Sequence, residues 1–318
     1  MAFNSGRFAQ LSAFERYVLD AIAPSLEMTT GLLVVDFRDE DRTSPRVHAL
    51  PGGMPARAVA YVNGASAREL DVTPIVFGSA WKILDLVADE ILGRKANGDP
   101  MTIEAKCKTA VTGNGFVRQK PFLNEVDLWK RYMHLYADTL PLRHSLVHRE
   151  LVVHADGRVE SSPVQGNPVR PTTMDRDELG YFFRAVQGFA RALISGELPR
   201  RERDNLAYIL SQLNGVHGLG PLPGRAVTRA ILVLARPEVL ASGAMQYDAR
   251  AALSYVHGKW PNAGVDLLLK LPDGTVLRGH LEDAPEADPA PIRINPPPRW
   301  LEVAPPENWT RWGRLGSP

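Results

Sequence analysis

The sequence predicts an α+β fold in which a central helical bundle is flanked by β-containing N- and C-terminal parts. Two observations indicate this. Apolar residues recur with the period of a helix in the middle of the chain, and short apolar runs typical of strands lie on either side. At 318 residues the chain is long enough for more than one domain. We therefore expect a small α/β region at 1–72, the bundle at 73–218, a β-rich region at 219–284 and a tail at 285–318.

The N-terminal region contains one predicted helix and two predicted strands. An amphipathic pattern with Ser12 as its cap predicts a helix over residues 12–23. The apolar runs 32–37 and 58–62 predict strands. The acidic stretch 39–42 favours a solvated turn over a metal site.

Four helical stripes and one hairpin make up the predicted bundle. The stripes cover residues 76–91, 122–140, 175–198 and 200–213, and the run 150–160 predicts a hairpin that turns at 155–157. The polar, Gly-containing stretch 95–115 predicts a loop. The most basic part of the chain lies in and after this loop, and it is either a contact for an RNA backbone or a solvated surface. Its cations are Lys106, Lys108, Arg118 and Lys120.

A Gly- and Pro-containing linker is predicted at 218–224. Beyond it the apolar residues no longer recur with the helical period and form short runs typical of strands. Residues 230–234 predict a buried strand, and 265–270 with 275–279 predict a hairpin. The tail is too polar and too rich in proline to fold alone, so we expect its tryptophans to dock on a partner or, as is commoner, on the rest of the chain.

The candidate site is the stretch 141–149, which begins with Pro141 and predicts a short helix capped by the side chain of Thr139 or Asp138. Arg143 lies near the positive end of this helix, which favours phosphate. His144 and His148 are four residues apart and share one helix face. Arg143 and His148 are about 140° apart on an ideal helix, so either the long arginine side chain or a second copy of the helix completes the group.

Arg143 and His148, separated by four residues and with polar His144 in second place, resemble the Arg-x4-His signature of the HEPN family. The resemblance covers roughly residues 72–218. It implies a HEPN-like bundle and a metal-independent endoribonuclease of a defence or toxin–antitoxin system. It also implies a homodimer with a composite cleft, an antitoxin or other partner protein, and Arg143, His144 and His148 as catalytic residues. Other HEPN members have lost catalysis, so a non-catalytic interaction or sensor protein is the alternative.

Two further patterns compete with this interpretation. Arg149 and His154 give a second match to the signature, but His154 falls in the strand-like run of the predicted hairpin. A zinc site made of His144, His148 and His154 is the other alternative, although Ser145 stands where metalloproteases carry a glutamate base.

Composition limits the classes of function. The net charge of +1 gives no global attraction to nucleic acid, so an RNA site must be a local basic cleft. Cys107 is the one cysteine, which excludes an internal disulfide and a cysteine-rich zinc site. The sequence shows neither a signal-peptide pattern nor an apolar run of membrane-spanning length. We therefore expect a cytoplasmic protein without membrane association, and the HEPN resemblance implies RNA as its partner and no cofactor or metal.

Overall fold

The computed structural model describes residues 4–23, 32–38, 45–50, 58–62, 66–92, 99–112, 126–148, 150–162, 172–213, 229–284 and 291–313. The helices in these ranges are α1 (Ser5–Leu11), α2 (Ala13–Ala21), α3 (Thr73–Leu92), α4 (Ile103–Thr112), α5 (Val126–Asp138), α6 (Leu140–His148), α7 (Arg176–Ser195), α8 (Arg200–Leu213), α9 (Ala249–Lys259) and α10 (Pro306–Gly313). The strands are β1 (Leu32–Asp36), β2 (Arg46–Leu50), β3 (Ala58–Val62), β4 (Ser66–Leu70), β5 (Leu151–Val153), β6 (Val159–Ser161), β7 (Thr173–Met174), β8 (Arg229–Ala235), β9 (Glu238–Val239), β10 (Met245–Tyr247), β11 (Ala263–Lys270), β12 (Val276–His280), β13 (Ile292–Arg293) and β14 (Glu302–Ala304).

These elements form two compact units. The helical unit contains α1 to α7, most of α8 and the short strands β3 to β7. The sheet unit contains β1, β2, the first six residues of α8, and everything described from β8 to α10. The mixture of helices and sheets agrees with the α+β class that the sequence predicts.

The core of the helical unit is made by the long helices. The predicted stripe of α3 is buried, with Val76, Ala80, Leu84, Val87 and Ile91 at most 4% exposed. Aromatic rings join α3 and α5 to α7, and burial of each such ring contributes about 1.5–3 kcal/mol. The ring pairs are Phe77–Phe182 at 5.5 Å and Tyr132–Phe189 at 4.0 Å between centroids.

The helix α7 begins where the sequence predicts, but it ends at Ser195, three residues before the predicted end at 198. The Asp175 side chain accepts from the backbone N–H of Glu178, and the Glu178 side chain accepts from the N–H of Asp175, which is a capping box. Its C-cap is Gly196, whose φ of 77° is a left-handed conformation that glycine adopts without steric cost.

The structure corrects several details of the predicted helices. The helix predicted over residues 12–23 is α2, with Ser12 at its N-cap position, but Ser12 Oγ donates to the Phe8 carbonyl instead of capping α2, and the further helix α1 precedes it. The stretch 95–115 is not all loop, since α4 lies within it. Val126, predicted to face the core, is 55% exposed. His134, a polar residue within the predicted stripe 122–140, is only 7% exposed.

The sheet unit is built on six strands in the order β14-β12-β11-β8-β1-β2. Strands β1, β8 and β11 are parallel, whereas β2 and β12 run antiparallel to their neighbours β1 and β11. Helix α9 lies between β8 and β11 in the chain and packs on one face of the sheet. The hairpin that the sequence predicts near residues 265–279 is β11–β12, and the predicted strand 230–234 is β8.

Strand β1 lies inside this sheet, so residues 1–72 do not form one separate region as predicted. It pairs with β8 on one side and β2 on the other. The physical reason is visible in its sequence: Val34 and Val35 are adjacent and both fully buried. A continuous apolar run of this kind is typical of a parallel strand that is covered on both faces.

The C-terminal tail docks on the sheet unit, as predicted, through α10. Trp309 is 7% exposed and joins the cluster formed by Val34, Leu234 and Leu268. The Arg38 guanidinium and the Lys270 amine lie 5.8 Å and 5.7 Å from the centroid of the Trp309 ring. The predicted linker 218–224 and the acidic stretch 39–42 lie outside the described residues.

Candidate functional site

Helix α6, which carries the candidate residues, follows α5 after the single residue Thr139. Thr139 is buried and its Oγ1 donates to the Leu135 carbonyl at 2.6 Å, while its own carbonyl accepts from the N–H of Arg143 at 3.1 Å. The prediction that the Thr139 side chain caps α6 is therefore wrong, because that side chain is bonded back to α5. The backbone of Thr139 makes the junction instead.

Two buried residues hold α6 in place. Leu142 is fully buried in the core of the helical unit. Ser145 is 2% exposed, and its Oγ accepts a 2.9 Å hydrogen bond from the backbone N–H of Ser162, next to strand β6. The face of α6 that carries these two residues thus packs on the unit, and the remaining face is open to solvent at Val147 and His148.

Arg143 packs against helix α3. Its Cζ lies 5.3 Å from the centroid of the Trp81 ring, and Trp81 is only 4% exposed. A guanidinium at this distance is attracted by the negative face of the indole. Nearby, Gly78 leaves room for Leu146, since a Cβ at that glycine would lie 3.1 Å from Leu146 Cδ2.

His144 and His148 come together as the spacing predicts. Their ring centroids are 5.8 Å apart and the ring planes are inclined by 32°. His144 is half-buried, whereas His148 is exposed. Across the described residues no hydrogen bond or ring contact joins Arg143 to His148, so the structure unites the imidazoles and directs the arginine to Trp81.

His154 belongs to the β5–β6 hairpin, as predicted. Its Nε2 lies 3.0 Å from Glu160 Oε2, across the predicted turn at 155–157. The zinc hypothesis needs His154 beside His144 and His148. In the ranges that the structure describes, no group of three or more His, Cys, Asp or Glu side chains has a geometry that could hold a metal ion.

A polar network lies beside Trp81 on the same helix. Lys106 Nζ is 2.7 Å from Asp85 Oδ1 and 2.6 Å from Asp89 Oδ1, and the Tyr136 hydroxyl donates to Asp85 Oδ1 at 2.6 Å. Lys106 is 4% exposed, so the prediction that it belongs to a solvated basic loop is wrong. The other cations of that predicted patch are Lys108, which is exposed, and Arg118 and Lys120, which lie outside the described residues.

Two members of the network, Lys106 and Tyr136, have shifted pKa values. Burial by itself lowers the pKa of Lys106, but the hydrogen bonds to Asp85 and Asp89 outweigh burial and the pKa rises above its ordinary value. Burial raises the pKa of Tyr136, and the bond to Asp85 raises it further. At neutral pH Lys106 is therefore charged, and Tyr136 keeps the proton that it donates to Asp85.

Cys107, next to this network, is expected to react slowly with alkylating reagents. Burial, with the charges of Glu104 and Asp85, raises the pKa of its thiol from 9.0 to about 11. The reactive species is the thiolate, so at pH 8 the reactive fraction is roughly a hundredfold smaller than for an exposed cysteine. Mass spectrometry after timed exposure to iodoacetamide measures the rate. Alkylation as fast as in the urea-unfolded protein would contradict this expectation.

Sequence reasoning missed a second cluster of charged residues, in the sheet unit. Asp266 in β11 and His280 in β12 are directly paired across the strands, with His280 Nδ1 at 2.8 Å from Asp266 Oδ1. Arg201 Nη1 donates to the same carboxylate and lies 4.0 Å from Glu282 Oε2. The one sequence signal is an aspartate within the apolar strand AGVDLLLK; its partners are too distant in sequence to be inferred.

Arg201 and His280 compensate the charge of the Asp266 carboxylate within this cluster. Burial tends to raise the pKa of Asp266, but the hydrogen bond from His280 and the charge of Arg201 outweigh it, and the pKa is lowered. Burial raises the pKa of Glu282, whose Oε1 accepts from the Val265 N–H at 2.6 Å. Since the arginine lies among carboxylates, we interpret the cluster as a partly exposed ion network that accommodates Asp266 in an otherwise apolar strand.

Comparison of the chain with protein-family models, curated proteins and solved structures gave no match. Among the described helices, none has the length and apolar character needed to cross a membrane.

Proposed function

We propose that the protein is a metal-independent endoribonuclease of HEPN type whose site is built on α6. The observation that supports this most directly is the pair of imidazoles, His144 and His148, 5.8 Å apart on a solvent-facing part of the helix. Two imidazoles at this separation suit proton transfer to and from a single phosphodiester, because imidazole titrates near neutral pH. The bundle around α6 is, in this proposal, HEPN-like.

The proposed chemistry uses the RNA 2′-hydroxyl as nucleophile. His148 takes the proton from this hydroxyl as the 2′-oxygen bonds to phosphorus. The bond from phosphorus to the 5′-oxygen breaks, and His144, in its protonated form, gives that oxygen a proton. Arg143 stabilises the charge that develops on the phosphate oxygens. Cleavage leaves a 2′,3′-cyclic phosphate on one fragment and a free 5′-hydroxyl on the other.

Arg143 approaches the phosphate in one of two ways. Its side chain is long enough to swing from the face of Trp81, or a second copy of α6 supplies the imidazole across a homodimer. We favour the homodimer, since His148 and Val147 are both exposed on the same helix and Val147 is an apolar side chain with 54% of its surface in solvent. Light scattering at micromolar concentration is the direct measurement of that assembly.

The test of the activity is incubation of purified protein with generic RNA in excess chelator. We expect cleavage to continue, because an arginine and two imidazoles supply proton transfer and charge stabilisation themselves. Enzymatic end analysis should find cyclic phosphate and 5′-hydroxyl termini. Cleavage that stops when chelator is added would contradict the metal-independent mechanism, and 5′-phosphate ends would contradict attack by the 2′-hydroxyl.

The second candidate is a non-catalytic HEPN-like interaction or sensor protein. The position of Arg143 over Trp81 favours it, because that contact gives the arginine a packing role that needs no substrate. RNA binding without cleavage separates the two candidates. In either case we propose a cytoplasmic protein of a defence or toxin–antitoxin system, with RNA or a partner protein such as an antitoxin as its ligand.

A further inference from the structure

Arg143 stands at one end of a continuous chain of contacts that crosses three other helices. Its guanidinium lies over Trp81 of α3, and the Trp81 ring lies 4.9 Å from the ring of Tyr136 in α5, with the planes inclined by 32°. The indole is thus in contact with a cation and an aromatic ring. Since Trp81 is 4% exposed, it has little freedom to move unless one of these neighbours moves.

The Tyr136 ring is in turn fixed by its hydroxyl. Tyr136 is fully buried, and its hydroxyl donates to Asp85 Oδ1, one turn along α3 from Trp81. Lys106 of α4 binds the same oxygen and also Asp89, so the acceptor has a fixed position. The Lys106 amine lies 6.0 Å from the centre of the Tyr136 ring as well.

We propose that Tyr136 is a positioning residue for Arg143. Its hydrogen bond to Asp85 sets the orientation of the phenol ring, the ring sets the indole of Trp81, and the indole sets the guanidinium. Tyr136 touches no substrate in this arrangement. The kinetic consequence rests on the proposed ribonuclease function, whereas the positional consequence does not.

Helix α5 offers a matched control for the test. Tyr132 lies one turn before Tyr136, is also fully buried, and has a hydroxyl without a hydrogen-bond partner in the described part of the chain. Its ring packs on Trp129 and Phe189, away from Trp81. Tyr136→Phe and Tyr132→Phe thus remove the same atom from the same helix, and only the first removes a bond of the network.

In the RNA assay, Tyr136→Phe is expected to lower kcat about tenfold, since small errors in the placement of a catalytic group are costly. KM should stay near the wild-type value, because the arginine acts on charge that develops in the transition state. Tyr132→Phe should leave both constants unchanged. Adding Tyr136→Phe to Arg143→Ala should cause no further loss, because a residue that acts through Arg143 has nothing left to position.

A second readout needs no catalysis. The indole N–H of Trp81 has no hydrogen-bond partner among the described residues, so its NMR resonance reports on the rings and charges around it. The resonance is assigned with Trp81→Phe. We expect Arg143→Ala and Tyr136→Phe to shift it, Asp85→Ala to shift it in the same direction as Tyr136→Phe, and Tyr132→Phe to leave it in place.

The two readouts separate failure of this proposal from failure of the ribonuclease function. If the wild type does not cleave RNA but the indole resonance responds as expected, the positioning proposal holds without the activity. If Tyr136→Phe and Asp85→Ala leave the resonance where Tyr132→Phe leaves it, the proposal is overturned whatever the activity. Additive losses in the Tyr136→Phe, Arg143→Ala double variant would overturn it as well.

Discussion

Replacing His148 with alanine should lower the rate of RNA cleavage about 10²–10⁴-fold, the usual contribution of a positioned general acid or base. Arg143→Ala should lose a similar factor, about 10²–10³-fold, through lost stabilisation of the phosphate charge. Both variants should fold, because His148 is exposed and Arg143 is only half-buried on the surface of Trp81. Initial rates on generic RNA in excess chelator measure the effects.

His154→Ala is the matched control for the histidine variant. His154 lies six residues beyond His148 and its partly exposed bond to Glu160 belongs to the hairpin, so its loss should leave cleavage unchanged. Equal residual cleavage by wild type and His148→Ala would point to a contaminating nuclease and end the ribonuclease proposal. A loss in His154→Ala as large as in His148→Ala would instead show that the hairpin belongs to the site.

The local features of the fold were predictable from the sequence. Helices α3, α7 and α8 follow stripes with the helical period, and the β5–β6 and β11–β12 hairpins follow from short strands around turn residues. Helix α4 was missed because IEAKCKTAVT is short and lies among polar, Gly-containing stretches. The ion pairs of Lys106 with Asp85 and Asp89 fix α4 against α3, and no local sequence pattern indicates such pairs.

The features that could not be predicted depend on contacts between residues that lie far apart in the sequence. Strand β1 was predicted as a strand, but its neighbour β8 lies far along the chain, so the sheet unit could not be assembled from the sequence. In the candidate site the same distinction holds. The spacing of His144 and His148 predicted their contact, whereas the contact of Arg143 with Trp81 depends on how α6 packs on α3.

Replacing Lys106 with methionine should lower the free energy of unfolding by about 2–3 kcal/mol. Breaking a buried ion pair costs about 3–5 kcal/mol, and this figure is reduced here because Asp89 is 42% exposed. Methionine keeps the length of the side chain but leaves Asp85 and Asp89, one turn apart on α3, to repel each other. Urea unfolding followed by circular dichroism gives the difference.

The free energy of unfolding of the wild type should also depend on pH through the charge of Lys106. Because the pKa of Lys106 is raised in the folded protein, the stability from its charge is fully present below the pKa of an unfolded lysine, about 10.4. It is lost as the pH rises through the higher folded pKa. The difference between wild type and Lys106→Met should therefore be constant near neutral pH and shrink in strongly alkaline solution.

Lys108→Met is the control for the loss of a lysine from the same helix. Lys108 is exposed, and interactions of an exposed lysine are worth about 0–1 kcal/mol, so this variant should unfold close to the wild type. If Lys106→Met were as stable as Lys108→Met, the Asp85–Lys106–Asp89 network would contribute nothing to stability. The hydrogen bond from the Tyr136 hydroxyl would then be the contact that holds Asp85.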